Sequence, residues 1–139
     1  MEKYTFEFDE NSYNIDMDNC MKDENNKINL LDGLKHEEII GLLKQQKNID
    51  FDLSYYDQAC QNCLNGVKEK AKYFKFLEYY FYAFTKNNKY VMSNISKEYE
   101  STSFKKMLKK GIVDNSYIIT IIVCIKCGKY SIEVEECEA

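Results

Sequence analysis

The chain has 139 residues, of which 45% are hydrophobic and 14% aromatic, and a formal charge of -4. This is the length of a single domain, and its aromatic content supplies more core than an intrinsically disordered chain carries. The charge is uneven: residues 1–60 hold fourteen acidic against six basic side chains, and residues 61–139 hold nine against thirteen. All nineteen Lys+Arg residues are lysines. Arginine's planar fork is the usual reader of guanine edges and phosphates, so its absence, with the acidic total, argues against sequence-specific nucleic-acid binding.

In chain order, the start from Met1 to Asp9 is acidic and lacks the apolar run of a secretory signal. Tyr4, Phe6 and Phe8 alternate with Thr5 and Glu7, the period of a half-buried strand. Asp9 to Ser12 reads as a turn, with Tyr13 to Asp16 returning as a second short strand. Residues 18–27 are polar and are expected to form a mobile loop. His36 to Gln46 is expected to be a helix with Ile39, Ile40, Leu42 and Leu43 inward and acids in its first turn. Residues 48–59 are expected to be irregular. The longest helix is expected over about Val67 to Thr85, where Val67, Ala71, Phe74, Leu77, Phe81 and Phe84 follow a three-to-four spacing, ended by Asn87-Asn88.

A shorter helix is expected over Ser103 to Lys110, with Phe104, Met107 and Leu108 inward and Gly111 free to take positive φ. Tyr117 to Cys124, apolar on both faces, suits a central strand. Alternation resumes at Tyr130, Ile132 and Val134, making a hairpin whose tip is Cys124-Ile125-Lys126-Cys127-Gly128. The expected architecture is therefore α+β over residues 1–139 as one domain. It would be a small antiparallel sheet with this C-terminal hairpin, packed on a long aromatic-rich helix and two shorter ones. The longest apolar run, Ile118 to Ile125, is far short of the ~20 residues of a membrane span. With no signal and no span, the expected compartment is the cytoplasm, where thiols stay reduced and paired cysteines point to metal or redox work.

Cys60-Gln61-Asn62-Cys63 and Cys124-Ile125-Lys126-Cys127 are two C-x2-C units. Two residues between thiolates let the backbone turn so that both sulfurs face one ion and amide N–H groups reach them. Cys60, Cys63, Cys124 and Cys127 are thus the expected metal ligands, with Gly128 supplying a turn that needs positive φ. The segment Ile121 to Tyr130 resembles the strand–knuckle–strand hairpin of zinc ribbons and, more distantly, of rubredoxins. That resemblance implies a structural zinc or, alternatively, a one-iron electron-transfer centre. It covers roughly 20 residues and the first pair, and departs in two ways. No glycine directly follows Cys63, and about 60 residues separate the pairs. The composition resembles that of small uncharacterised proteins of low-GC Gram-positive bacteria, which implies no activity.

A rival reading makes Cys60 and Cys63 a redox dithiol activated by the helix expected after Cys60. The chain has no proline to face such a pair and no βαβ pattern before it. Cys20 and Cys137 are expected bystanders, and His36 an exposed first-turn residue outside any protease motif. Lys105, Lys106, Lys109 and Lys110 form a basic face, and Tyr55-Tyr56 and Tyr79-Tyr80 could stack bases. No phosphate-loop motif occurs. The expectation is a non-catalytic zinc-stabilised domain that binds another macromolecule, a protein partner before nucleic acid. A small redox protein, and nucleic-acid binding through residues 105–110, are the alternatives.

Overall fold

The computed structural model describes residues 3–25, 31–46 and 49–137. Strands β1 (Lys3–Phe8) and β2 (Asn11–Asp16) form an antiparallel hairpin, turned at Asp9 and Glu10, both at positive φ. A 3-10 turn at Met17–Asn19 is capped by the Asp16 carboxylate, which accepts from the Asn19 N–H. It leads into β3 (Cys20–Asp23), and helix α1 follows at His36–Gln45. Strands β4 (Asp52–Tyr56), β5 (Phe74–Lys86), β6 (Lys89–Ser93), β7 (Asn115–Cys124) and β8 (Tyr130–Glu136) complete a six-stranded sheet with β3. Before β7, a 3-10 stretch (Lys97–Ser101) and helix α2 (Phe104–Lys109) cross one face. Among the described residues no helix is long and apolar enough to cross a membrane.

The sheet order is β3-β8-β7-β5-β4. Only β3 is parallel to its neighbour, β8. β7 pairs along one side of β5 from Phe76↔Cys124 to Thr85↔Asn115. β4 and β6 share the other side, β4 against Phe74 to Glu78 and β6 against Ala83 to Lys86.

The long helix expected over Val67 to Thr85 is therefore not formed, and the fold is mostly β rather than a sheet packed on a long helix. Residues 74–86 are a 13-residue central strand, and residues 67–73 are turns and bends. The segment is apolar on both faces, so positions three and four apart coincide with an apolar stripe whichever period is tested. Its density of Phe and Tyr decides for β, because these residues fit a pleated surface with neighbours on both sides. Leu77, Phe81 and Ala83 point to one face, and Phe76 and Phe84 to the other. Asn87 and Asn88, both at positive φ, turn β5 into β6 rather than ending a helix. The polar stretch 18–27 contains the 3-10 turn and β3 rather than a mobile loop, with 26–27 outside the described residues. The segment 48–59 contains β4. The two shorter helices form, with Ser103 capping α2 through the Lys106 N–H and Gly111 at φ 74.

The main core lies on one face of the sheet, where α1 and the β1–β2 hairpin cover it. Ile39, Ile40 and Leu43 meet Leu77, Phe81, Ile119, Ile121 and Ile132. The hairpin contributes Phe6, stacked on Phe51 at 4.0 Å. The other face is covered only at its ends. At one end Phe84 packs with Met107 and Val113 beneath α2, and at the other Phe76 and Ile122 pack with Cys60 and Cys124. Between them Tyr80 and Tyr82 face outward.

His36, expected to be exposed, is buried, with 8% exposure, where α1 begins beside β3 and β8. Its Nδ1 lies 3.2 Å from Asp23 Oδ2, and its Nε2 2.5 Å from the Tyr130 hydroxyl oxygen. Tyr130 donates its one proton to the Asp16 carbonyl at 2.6 Å. Nε2 must then donate to the tyrosine oxygen while Nδ1 donates to Asp23, which requires the imidazolium. Burial alone would depress the His36 pKa, but the Asp23 carboxylate and the Cys20 thiol beside it raise it to about 9. The ion pair joins α1 to β3 and β8. A raised folded-state pKa stabilises fully below the unfolded value of 6.5, and that contribution is lost as pH rises through about 9. His36→Gln is expected to cost about 3 kcal/mol near pH 6, the cost of breaking a buried pair. The gap between variant and wild type should narrow between pH 6.5 and about 9 in urea unfolding series.

Candidate metal centre

Because β5 is antiparallel to both β4 and β7, the β4–β5 loop and the β7–β8 turn leave the sheet at the same end. The first carries Cys60 and Cys63 and the second Cys124 and Cys127. The four sulfurs lie within 4.8 Å of one another. Among the described residues this is the one group of three or more His, Cys, Asp or Glu ligand atoms so gathered. The two knuckles interlock crosswise: Cys60 Sγ is 3.7 Å from Cys127 Sγ, and Cys63 Sγ is 3.6 Å from Cys124 Sγ. A disulfide needs about 2.05 Å. The edge of a tetrahedron with metal–sulfur bonds of about 2.3 Å is about 3.8 Å. The cysteines are free thiols spaced as four ligands of one ion.

Both knuckles bring amide donors to their sulfurs. The N–H groups of Asn62 and Cys63 face Cys60, those of Lys126 and Cys127 face Cys124, and that of Lys129 faces Cys127. The Asn62 side chain also bonds Cys127, linking the two halves. Burial pushes the Cys124 thiol up to about 12 and raises Cys60, while the amide donors oppose it. At Cys127 burial also raises, but the Lys129 N–H, the Asn62 amide and the neighbouring thiols prevail and hold it at about 7. As thiolates, four sulfurs this close, two of them buried, would be compatible only around a cation that offsets their desolvation and repulsion.

The missing glycine of the first knuckle has a structural counterpart. Gly128 takes φ 78, and its N–H donates to the Cys124 carbonyl at 3.0 Å. Leu64 holds the same place after Cys63, at φ 52, with its N–H donating to the Cys60 carbonyl at 2.8 Å. The backbone closes the same turn twice, once without glycine. Superposing the two C-x2-C units in the sequence aligns Leu64 with Gly128, the signal that would have found this strained position. Asn62 carries no such signal, since its bond to Cys127 depends on the loop folding back.

Residues 61–73 are turns, bends and irregular backbone, so no helix follows Cys60 to lower its pKa, contrary to the redox expectation. Cys20 and Cys137 stay outside the cluster: Cys20 sits beside His36, and Cys137 donates its N–H to the Ser116 carbonyl at the far end of the β7–β8 pair. Lys105, Lys106 and Lys109 are exposed on α2 around Leu108, which points outward rather than inward as expected. Tyr55 and Tyr80 are exposed, whereas Tyr79 packs on Phe51 and Tyr56 on Phe76. The β1–β2 hairpin braces the second knuckle, Tyr13 donating to the Ile125 carbonyl at 2.9 Å.

A family model described as "Protein of unknown function (DUF3785)" matches residues 4–139. No curated protein and no solved structure matches the chain.

Leu64 is largely solvent-exposed, so little packing is lost on its removal. Leu64→Gly relieves a left-handed penalty of about 1–2 kcal/mol and adds an unfolded-state entropy of about 0.4–1 kcal/mol. A net gain of about 0.5–1 kcal/mol is expected in thermal unfolding of the metal-loaded protein. Gly128→Ala should lose stability instead, by about 1 kcal/mol through φ alone, since a Cβ there meets only the Tyr13 ring at 3.9 Å.

Proposed function

We propose that this chain, which belongs to the DUF3785 family, is a non-catalytic domain stabilised by one zinc ion and working by binding another macromolecule. The observation that carries the metal reading is the crosswise spacing of Cys60, Cys63, Cys124 and Cys127. A closed set of four thiolates leaves no position for substrate, which favours a structural over a catalytic ion. Zinc is the preferred occupant because it is the common ion of four-thiolate structural sites, with iron as the alternative the same geometry would accept. Such an ion supplies cross-linking, fastening the β4–β5 loop to the β7–β8 turn. A reducing compartment, the cytoplasm, suits six free thiols.

The redox alternative is weaker. Close sulfur contacts join the two knuckles, Cys60 to Cys127 and Cys63 to Cys124, and no helix dipole acts on Cys60. Nucleic-acid binding rests on the exposed α2 lysines.

Elemental analysis of purified protein should find one zinc per chain and no visible absorbance. Iron with charge-transfer bands, or a metal-free disulfide that cycles readily, would overturn this reading. Cys60→Ser and Cys124→Ser should each lose the metal and melt more than about 15 °C lower, because metal binding in such sites is folding free energy of the order of 10 kcal/mol.

A further inference from the structure

Beside the first knuckle, at the end of that sheet face where Phe76 and Ile122 pack with Cys60, lies a cleft of ≈ 410 Å³. This lies within the range of ligand-binding sites. It crosses the strands from Met21 and Lys22 of β3, over Ser131 and Glu133 of β8 and Ile122 of β7, to Tyr56 and the loop approaching Cys60. Its floor is apolar, formed by Phe76 and Ile122, and Tyr56 stands edge-on to Phe76 at 5.3 Å.

Acids outnumber amines along it, with Asp57 and Glu133 against Lys22 among the lining residues. Glu133 lines the cleft and is faced by the carboxylates of Glu24, Glu78 and Glu135, with Lys22 the opposing amine. Lys22 itself is drawn to Glu24 at 3.5 Å. Glu78 accepts from the Tyr56 hydroxyl. Burial, then the neighbouring acids, raise the Glu133 carboxyl above its usual range. The carboxylates do not bring their oxygens together as ligands of one metal ion, since the four cysteines are the group so gathered among the described residues.

We infer that this cleft docks a lysine- or arginine-bearing segment of a partner protein. A long cationic side chain lays its apolar stem along Phe76 and Ile122 and sets its charge between Glu133 and Glu78, against the Tyr56 ring. A small amine would satisfy the charge but not fill a cleft that runs from Met21 and Lys22 across the strands to the loop at Cys60. The inference deepens the macromolecule-binding part of the proposed function and is independent of which metal the cysteines hold.

The test is an NMR titration of the metal-loaded protein with an acetylated, amidated hexapeptide of alternating lysine and alanine. Its acetyl-lysine counterpart and spermidine serve as comparisons. Saturable shifts should centre on the amides of Phe76, Ile122 and Glu133, vanish for the acetyl-lysine peptide and weaken at least tenfold in Glu133→Gln. Glu133 is exposed at its edge, so the variant should keep its metal and melting temperature. Loss of binding with both intact isolates the cleft from the metal-stabilised fold. Unchanged affinity in Glu133→Gln, or shifts spread over the acidic surface without saturation, would overturn the inference. Equal affinity for spermidine would replace the partner protein with a small amine. Dimerisation suppressed by Glu133→Gln would replace it with a second copy presenting its own α2 lysines.

Discussion

The antiparallel pairing of β5 with both β4 and β7 is the constraint on which the rest of the molecule depends. It sets Phe76 opposite Cys124 and turns both flanking connections toward one end of the sheet. Without that register the two C-x2-C units would be separate hairpin loops with no common centre. With it, one central strand positions the sulfurs and divides the apolar residues between two faces. The main core and the cysteine cluster are consequences of a single ladder of backbone hydrogen bonds.

That Cys60, Cys63, Cys124 and Cys127 come together was legible in the sequence because knuckle chemistry is local: two residues between cysteines set each half of the cluster. The β7–β8 hairpin, the β1–β2 hairpin and the helix at His36–Gln45 were legible for the same reason, each carrying its own periodicity or turn residues. β5 was not. Its sequence, FKFLEYYFYAFTK, is apolar on both sides, and only the presence of β4, β6 and β7 around it selects the extended backbone. β3 was hidden for the opposite reason: a short polar edge strand, parallel to its one neighbour, has almost no pattern of its own.

His36 makes the same point about charge. As a sequence feature it is a polar residue at a helix start beside two glutamates, the usual description of a solvated position. Its burial depends on Asp23 and Tyr130, which reach it from β3 and β8. A hydroxyl whose proton is committed to a backbone carbonyl leaves the imidazole no role but donor, so the protonation state follows from hydrogen-bond counting.

The distance between the knuckles along the chain has a consequence for synthesis. Cys60 and Cys63 emerge from the ribosome about sixty residues ahead of Cys124 and Cys127. Domains form as units during translation, and β7 is the strand that carries the second pair into register. The nascent chain must therefore hold an exposed dithiol, with β5 lacking its main neighbour, through the making of nearly half the protein. Closure of the centre is a late event that reports a completed sheet.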